Sequence, residues 1–206
     1  MVKVIKNLLA LTLCLVLVGC AHEPQSVYIS PSERQQTVSQ LTTWRAQGSL
    51  SLTANDQHDM VSFNWLQVAN NLFSVRFSTF TYSVVLQNNH GQLTLSKPIK
   101  GIDSSLFQSL LDAQYWLRGL PLPRHLSRGS VSKAYDQYGR LLMLQQSSWL
   151  IHYQKYALYS GYELPTQVTI SDQQLQLKLV ISRWDVTPSR VHVVAPSADV
   201  ALLKSI

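Results

Sequence analysis

From Trp44 onward large apolar residues recur at every second position, and that period of two confines the body of the chain to strands with one buried face. Ser49-Leu50-Ser51-Leu52 alternates, and Val61, Phe63 and Trp65 share a face with Ser62 and Asn64 opposite. Phe73, Val75 and Phe77 repeat the pattern, then Tyr82, Val84 and Leu86, then Leu93 and Leu95 after the turn Asn88-Asn89-His90-Gly91. Five such runs joined by short polar connections predict an antiparallel meander. In the last third the alternation returns at Leu142 and Leu144, at Trp149, Ile151 and Tyr153, at Val168 and Ile170, and at Leu175, Leu177, Leu179 and Ile181. Trp184 falls out of phase with that last series, which predicts a bulge near Ser182 or Arg183.

One helix interrupts the strands. Asp103 or Ser104 can cap it, and Leu106, Leu110, Ala113 and Leu117 follow at helical spacing, widened by Phe107 and Leu111. Gly119, Pro121 and Pro123 end it. The reading is therefore mainly β: nine or ten strands in a curved antiparallel sheet, with one helix against one side. A single helix covers only part of so large an apolar face. Either the sheet closes around a packed core, or its concave side keeps space for a ligand.

The amino terminus carries a different message. Lys3 and Lys6 precede an apolar run from Val4 to Val18, with the layout of an export leader. Leu17-Val18-Gly19-Cys20 closes it and looks like a bacterial lipobox, in which cleavage leaves an acylated cysteine at the new terminus. An ordinary signal peptide, or an uncleaved anchor, is the alternative. Alanine at position 21 lacks the aspartate that favours inner-membrane retention in enterobacterial lipoproteins. The expected divisions are residues 1–19 as leader, 20–40 as lipidated terminus and polar tether, 41–187 as body, and 188–206 as a tail of unassigned role. A short helix from Ser32 to Leu41 fits within the tether, started by Pro31-Ser32-Glu33.

Composition narrows the functions. Of 206 residues 17 are basic and 11 acidic; two lysines leave with the leader, so the mature chain carries a net +4. That excess is mild and scattered, suited to anionic lipid or an acidic partner rather than nucleic acid. Cys14 lies in the leader and Cys20 at its end, so the body holds no cysteine for a disulfide or a thiolate metal site. No nucleophile elbow, zinc helix or phosphate loop occurs. The six histidines are scattered, His58-Asp59 sits in a polar turn, and His152 points away from the apolar series. Catalysis, a metal and a cofactor are all unexpected. The tryptophans at 65, 116, 149 and 184 read as core. Phe80 and Tyr82 have polar neighbours, so they are either an exposed loop or a continuation of the strand ending at Phe77.

With these features in place, the chain resembles the LolB family of outer-membrane lipoprotein receptors. The likeness rests on Trp44 with Gly48-Ser49-Leu50, Phe63 and Trp65, Tyr115-Trp116-Leu117-Arg118-Gly119-Leu120-Pro121, Trp149 with Tyr153, Leu164-Pro165, and Leu177-Lys178-Leu179 through Trp184-Asp185-Val186. It spans roughly residues 40 to 187. The resemblance implies an unclosed half β-barrel with a helical lid over a hydrophobic cavity. It also implies a protein, lipid-anchored through Cys20 on the periplasmic face of the outer membrane, that takes lipoproteins from the carrier LolA and inserts them; a monomer is expected. On that reading acyl chains lie among Phe63, Trp65, Val75, Phe77, Leu93, Leu95, Leu144, Ile151, Leu177 and Leu179, under Leu110 and Leu117. Phe80 and Tyr82 stand at the family's protruding delivery loop, although its leucine is not matched. A binder of another hydrophobic ligand, or an assembly lipoprotein of the envelope, is the alternative.

Overall fold

The computed structural model describes residues 28–54, 57–97, 111–123, 129–173, 175–187 and 201–202. Helix α1 (Pro31–Ser39) precedes strands β1 (Trp44–Ala54), β2 (Gln57–Ala69), β3 (Leu72–Ser78), β4 (Ser83–Asn89) and β5 (Gln92–Leu95). Helical residues 111–116 form α2. Then come β6 (Val131–Tyr135), β7 (Leu141–Gln146), β8 (Trp149–Tyr159), β9 (Tyr162–Ser171), β10 (Leu175–Asp185) and the two-residue β11 (Ala201–Leu202).

The strands form one antiparallel sheet in the order β11-β5-β4-β3-β2-β1-β10-β9-β8-β7-β6, and its two edge strands do not pair with each other. The barrel is therefore unclosed. Two meanders, β1–β5 and β6–β10, meet where β10 pairs with β1. The predicted bulge lies at this seam: Gln47 pairs with Arg183 and Gly48 with Ile181, leaving Ser182 as the extra residue. The bulge brings the β10 backbone so close that a Cβ on Gly48 would stand 2.0 Å from the Val180 carbonyl oxygen. Only glycine fits there.

Register aligns the apolar set on the inner face. Ala46 lies between Trp65 and Trp184, Leu50 between Val61 and Leu179, and Val75 between Trp65 and Leu86. At one end of the sheet the rings interlock: Trp44 sits 5.7 Å from Trp65 and 5.2 Å from Trp184, and Trp65 is 4.8 Å from Phe73. Each such pair adds about 0.5–1.5 kcal/mol to the stabilisation from burial. Helix α1 starts at Ser30, whose hydroxyl caps Glu33 N–H while the Glu33 carboxylate answers Ser30 N–H. The helix is thus two residues shorter at its carboxyl end than Ser32–Leu41 and starts one earlier, because the cap precedes the proline. Two edge elements have no counterpart in the sequence reading. β6 leaves no clear signal in the sequence because Val-Ser-Lys-Ala-Tyr carries no clean apolar alternation, and the tail contributes β11 on β5.

Candidate functional site

The inner face of the sheet is unevenly covered. Phe63, Trp65, Val75, Leu86, Leu95, Leu144, Ile151 and Leu179 are buried, as is Leu117 beyond the end of α2. Leu50, Leu52, Val61, Phe77, Leu93 and Leu177 are only partly covered. Five of these form a strip through the strand pairs: Phe77 opposite Phe63, then Val61, Leu50 opposite Val61, and Leu52 opposite Leu177. The strip lies away from the tryptophan cluster, toward the β1–β2 and β3–β4 turns. Leu50, Leu52 and Val61 were absent from the acyl-lining set read from sequence. Their alternation had already placed them on the inner face, but period two does not reveal where along a strand the cover ends. Cys20 and Leu110 lie outside the described residues.

Strand β3 stops at Ser78 and β4 begins at Ser83, so Phe80 and Tyr82 belong to a turn rather than to a continuing strand. Thr79 N–H donates to the Tyr82 carbonyl at 2.8 Å, and the Thr79 hydroxyl accepts from Tyr82 N–H at 3.2 Å. This locks the turn while leaving Phe80 fully exposed and Tyr82 43% exposed. The Lys97 ammonium sits 5.4 Å from the Tyr82 ring. Phe77, at the end of the partly covered strip, lies three residues before Phe80, so the exposed turn continues from that end.

Helix α2 is fastened by polar contacts that the sequence reading did not anticipate. The Gln114 side chain accepts from Gln67 at 3.1 Å and donates to Asn71 at 3.1 Å, and Gln67 itself accepts from the Trp65 indole at 3.0 Å. Arg118 donates to the carbonyls of Gln114 and Leu41, and Tyr153 Oη donates to the Trp116 carbonyl. Nothing in the pattern marks a buried glutamine as a lock rather than as an outward strand residue. Burial lowers Arg118 to about 10, so it stays cationic at neutral pH. Burial also raises the Asp112 carboxyl to about 6. Trp116 stacks 5.8 Å from Trp149.

Among the described residues no group of three histidines, cysteines or carboxylates is placed to hold a metal, and no helix is long and apolar enough to cross a membrane. The surface on offer is an apolar inner face, only partly covered along one strip, next to a turn that exposes an aromatic ring. Its chemistry is desolvation of hydrocarbon.

Residues 42–184 match the family model described as "Outer membrane lipoprotein LolB". The outer-membrane lipoprotein LolB of Coxiella burnetii (strain RSA 493 / Nine Mile phase I) is 26% identical over 190 residues, covering 82% of this chain and 88% of the relative. That of Stutzerimonas stutzeri (strain A1501) is 29% identical over 203 residues, covering 88% and 96%. Among solved structures, a LolA-superfamily protein from Nitrosomonas europaea superposes with a TM-score of 0.50 at 9% identity, over 79% of this chain and 96% of that one. This last likeness concerns the fold alone.

Proposed function

The chain belongs to the LolB family of outer-membrane lipoproteins, and from that premise we propose that it receives lipoproteins from a LolA-like periplasmic carrier and inserts them into the outer membrane. The observation that carries the reading is the strip Phe77, Val61, Leu50, Leu52 and Leu177, an apolar inner face left partly uncovered beside an exposed ring.

The protein is held through an acylated Cys20 on the periplasmic face. The incoming acyl chains enter at the strip and lie against Phe63, Trp65, Val75, Leu95, Leu144, Ile151 and Leu179. Each buried methylene is worth about 0.8 kcal/mol, so free chains do not cross the periplasm unshielded. Transfer runs downhill, from a carrier that holds lipid weakly to a bilayer that holds it strongly. A half-open cavity suits an intermediate that must also release. Phe80, with Tyr82, enters the headgroup boundary and brings the strip to the membrane.

The test is a two-step assay with purified carrier, an acylated lipoprotein and liposomes. Wild type should take the lipoprotein from the carrier and pass it on. Phe80→Glu/Tyr82→Glu should accept it and keep its fold but deliver at least tenfold more slowly. Failure of wild type to accept lipoprotein would overturn the receptor reading. Normal delivery by the double variant would remove the turn from the mechanism.

A further inference from the structure

The part of the sheet that bears the exposed turn is free of acid. From Met60 to Ile102 the sequence contains no aspartate or glutamate, whereas Arg76, Lys97 and Lys100 are basic. The described carboxylates lie on α1, on α2, at the start of β2 (Asp59) and from β6 onward. Within the acid-free stretch the chain returns Lys97 to the turn. Leu95 pairs with Leu86, Ser96 N–H donates to the Val85 carbonyl at 2.9 Å, and the Ser96 hydroxyl accepts from Val85 N–H at 2.9 Å. The next residue places its ammonium 5.4 Å from the centre of the Tyr82 ring, within cation–π reach. Arg76 pairs with the same Val85 from the other side, on β3. Both basic side chains are exposed, and neither has an ion-pair partner among the described residues.

We propose that Lys97, supported by Arg76, binds the phosphates of anionic phospholipid, so that the Phe80 turn selects a receiving membrane by its charge. The inference rests on the delivery role proposed for that turn and names the lipid class it meets. The chemistry of the two lipids separates their sites. A lipoprotein's acyl chains are joined through thioether, ester and amide groups and bring no phosphate, so a lysine here adds nothing to holding the incoming chains. Every phospholipid brings a phosphate, and in the anionic ones no headgroup cation offsets its charge. A fully exposed Phe80 ring and an ammonium on the neighbouring Tyr82 suit the layers of a bilayer surface, the ring at the acyl boundary and the cation among the phosphates. The absence of acid across β3, β4 and β5 removes the repulsion that a carboxylate would meet at such a surface. The attraction acts only within about 8 Å at physiological salt, so it orients a turn already close to lipid.

For the test, the full lipidated protein is reconstituted in vesicles of phosphatidylcholine, with or without phosphatidylglycerol, and given a lipoprotein on its carrier. Wild type should deliver several-fold faster into the anionic vesicles, while acceptance from the carrier, read by co-precipitation, is the same in both. Lys97→Gln should narrow the ratio of anionic to neutral delivery about fivefold. Lys97→Gln/Arg76→Gln should bring the ratio near one, Lys97→Arg should keep it, and high salt should flatten it in wild type. Equal delivery into both vesicles by wild type would overturn the proposal, as would an anionic advantage that survives the double variant. A Lys97→Gln loss of the same size in both vesicles would overturn it too, because the lysine would then act by shaping the turn. Acceptance distinguishes the two readings. Wild type that accepts lipoprotein yet ignores vesicle charge sinks this inference alone; wild type that never accepts it sinks the receptor reading and this inference together.

Discussion

Asp112 is the one carboxylate on the described part of α2, half-buried and with its carboxyl raised to about 6 by desolvation. The folded chain keeps that proton to higher pH than the unfolded chain does, so stability falls as pH rises from about 4 to about 6 and stays reduced above. Asp112→Asn should therefore raise the melting temperature at pH 7.5, leave it nearly unchanged at pH 4, and flatten the slope between. Thermal unfolding across that range is the check; an unaltered slope would move the pH dependence to other carboxylates. At this scale the sequence was informative wherever a side chain had one way to be stable. Trp65, Trp116 and Trp184 are buried, and His152 faces water. It was uninformative for Gln67 and Gln114, whose burial depends on partners 47 residues apart that only the fold brings together. Gly48 belongs to a run shared with the family, but its physical reason is the Ser182 bulge on a strand over 130 residues away.

Among the elements, α1 is held by charge rather than by an apolar face alone. Arg34 forms an ion pair with Glu163 and donates to the Tyr138 carbonyl at 3.0 Å, while Arg140 bridges Glu163 at 3.1 Å and Asp136 at 2.6 Å. Burial works to raise Asp136, but hydrogen bonds from the Arg140 backbone and side chain and from Tyr138 N–H outweigh it and hold the carboxyl low. Beneath them Tyr156 Oη donates to the Leu141 carbonyl, and burial pushes its own ionisation far up. Glu163→Gln leaves two guanidinium groups facing a neutral amide in a largely buried place, which should cost about 3 kcal/mol. Limited proteolysis should then cut within residues 30–43 far faster than in wild type while the strands remain protected. Equal cutting rates would mean that Val38 and Leu41 alone seat the helix. Hairpins were legible from residues because alternation and turn signals are local. The edges of the sheet were not, because β6 lies open to solvent on Val131, Ser132 and Lys133, and β11 pairs only through its backbone register with β5.

For the whole molecule, the central claim is that the unclosed sheet holds hydrocarbon on its inner face and lets it go along one side. Alternation implied such a face and left open whether it was filled. Where along the strands the cover ends is set by tertiary packing, which no periodicity encodes. The gradient runs from buried Trp44 and Val75 to partly exposed Leu50, Phe77 and Leu177. The most direct measurement is to let the protein accept a lipoprotein bearing a photoreactive group within its acyl chains, irradiate, and map the labelled residues by mass spectrometry. The account predicts labels at Leu50, Val61, Phe77 and Leu177 and at buried neighbours such as Phe63 and Leu179, with Leu177→Glu strongly reducing uptake. Labels confined to the outer-face residues Met60, Leu142 and Val180, or a folded protein that takes no label, would contradict it.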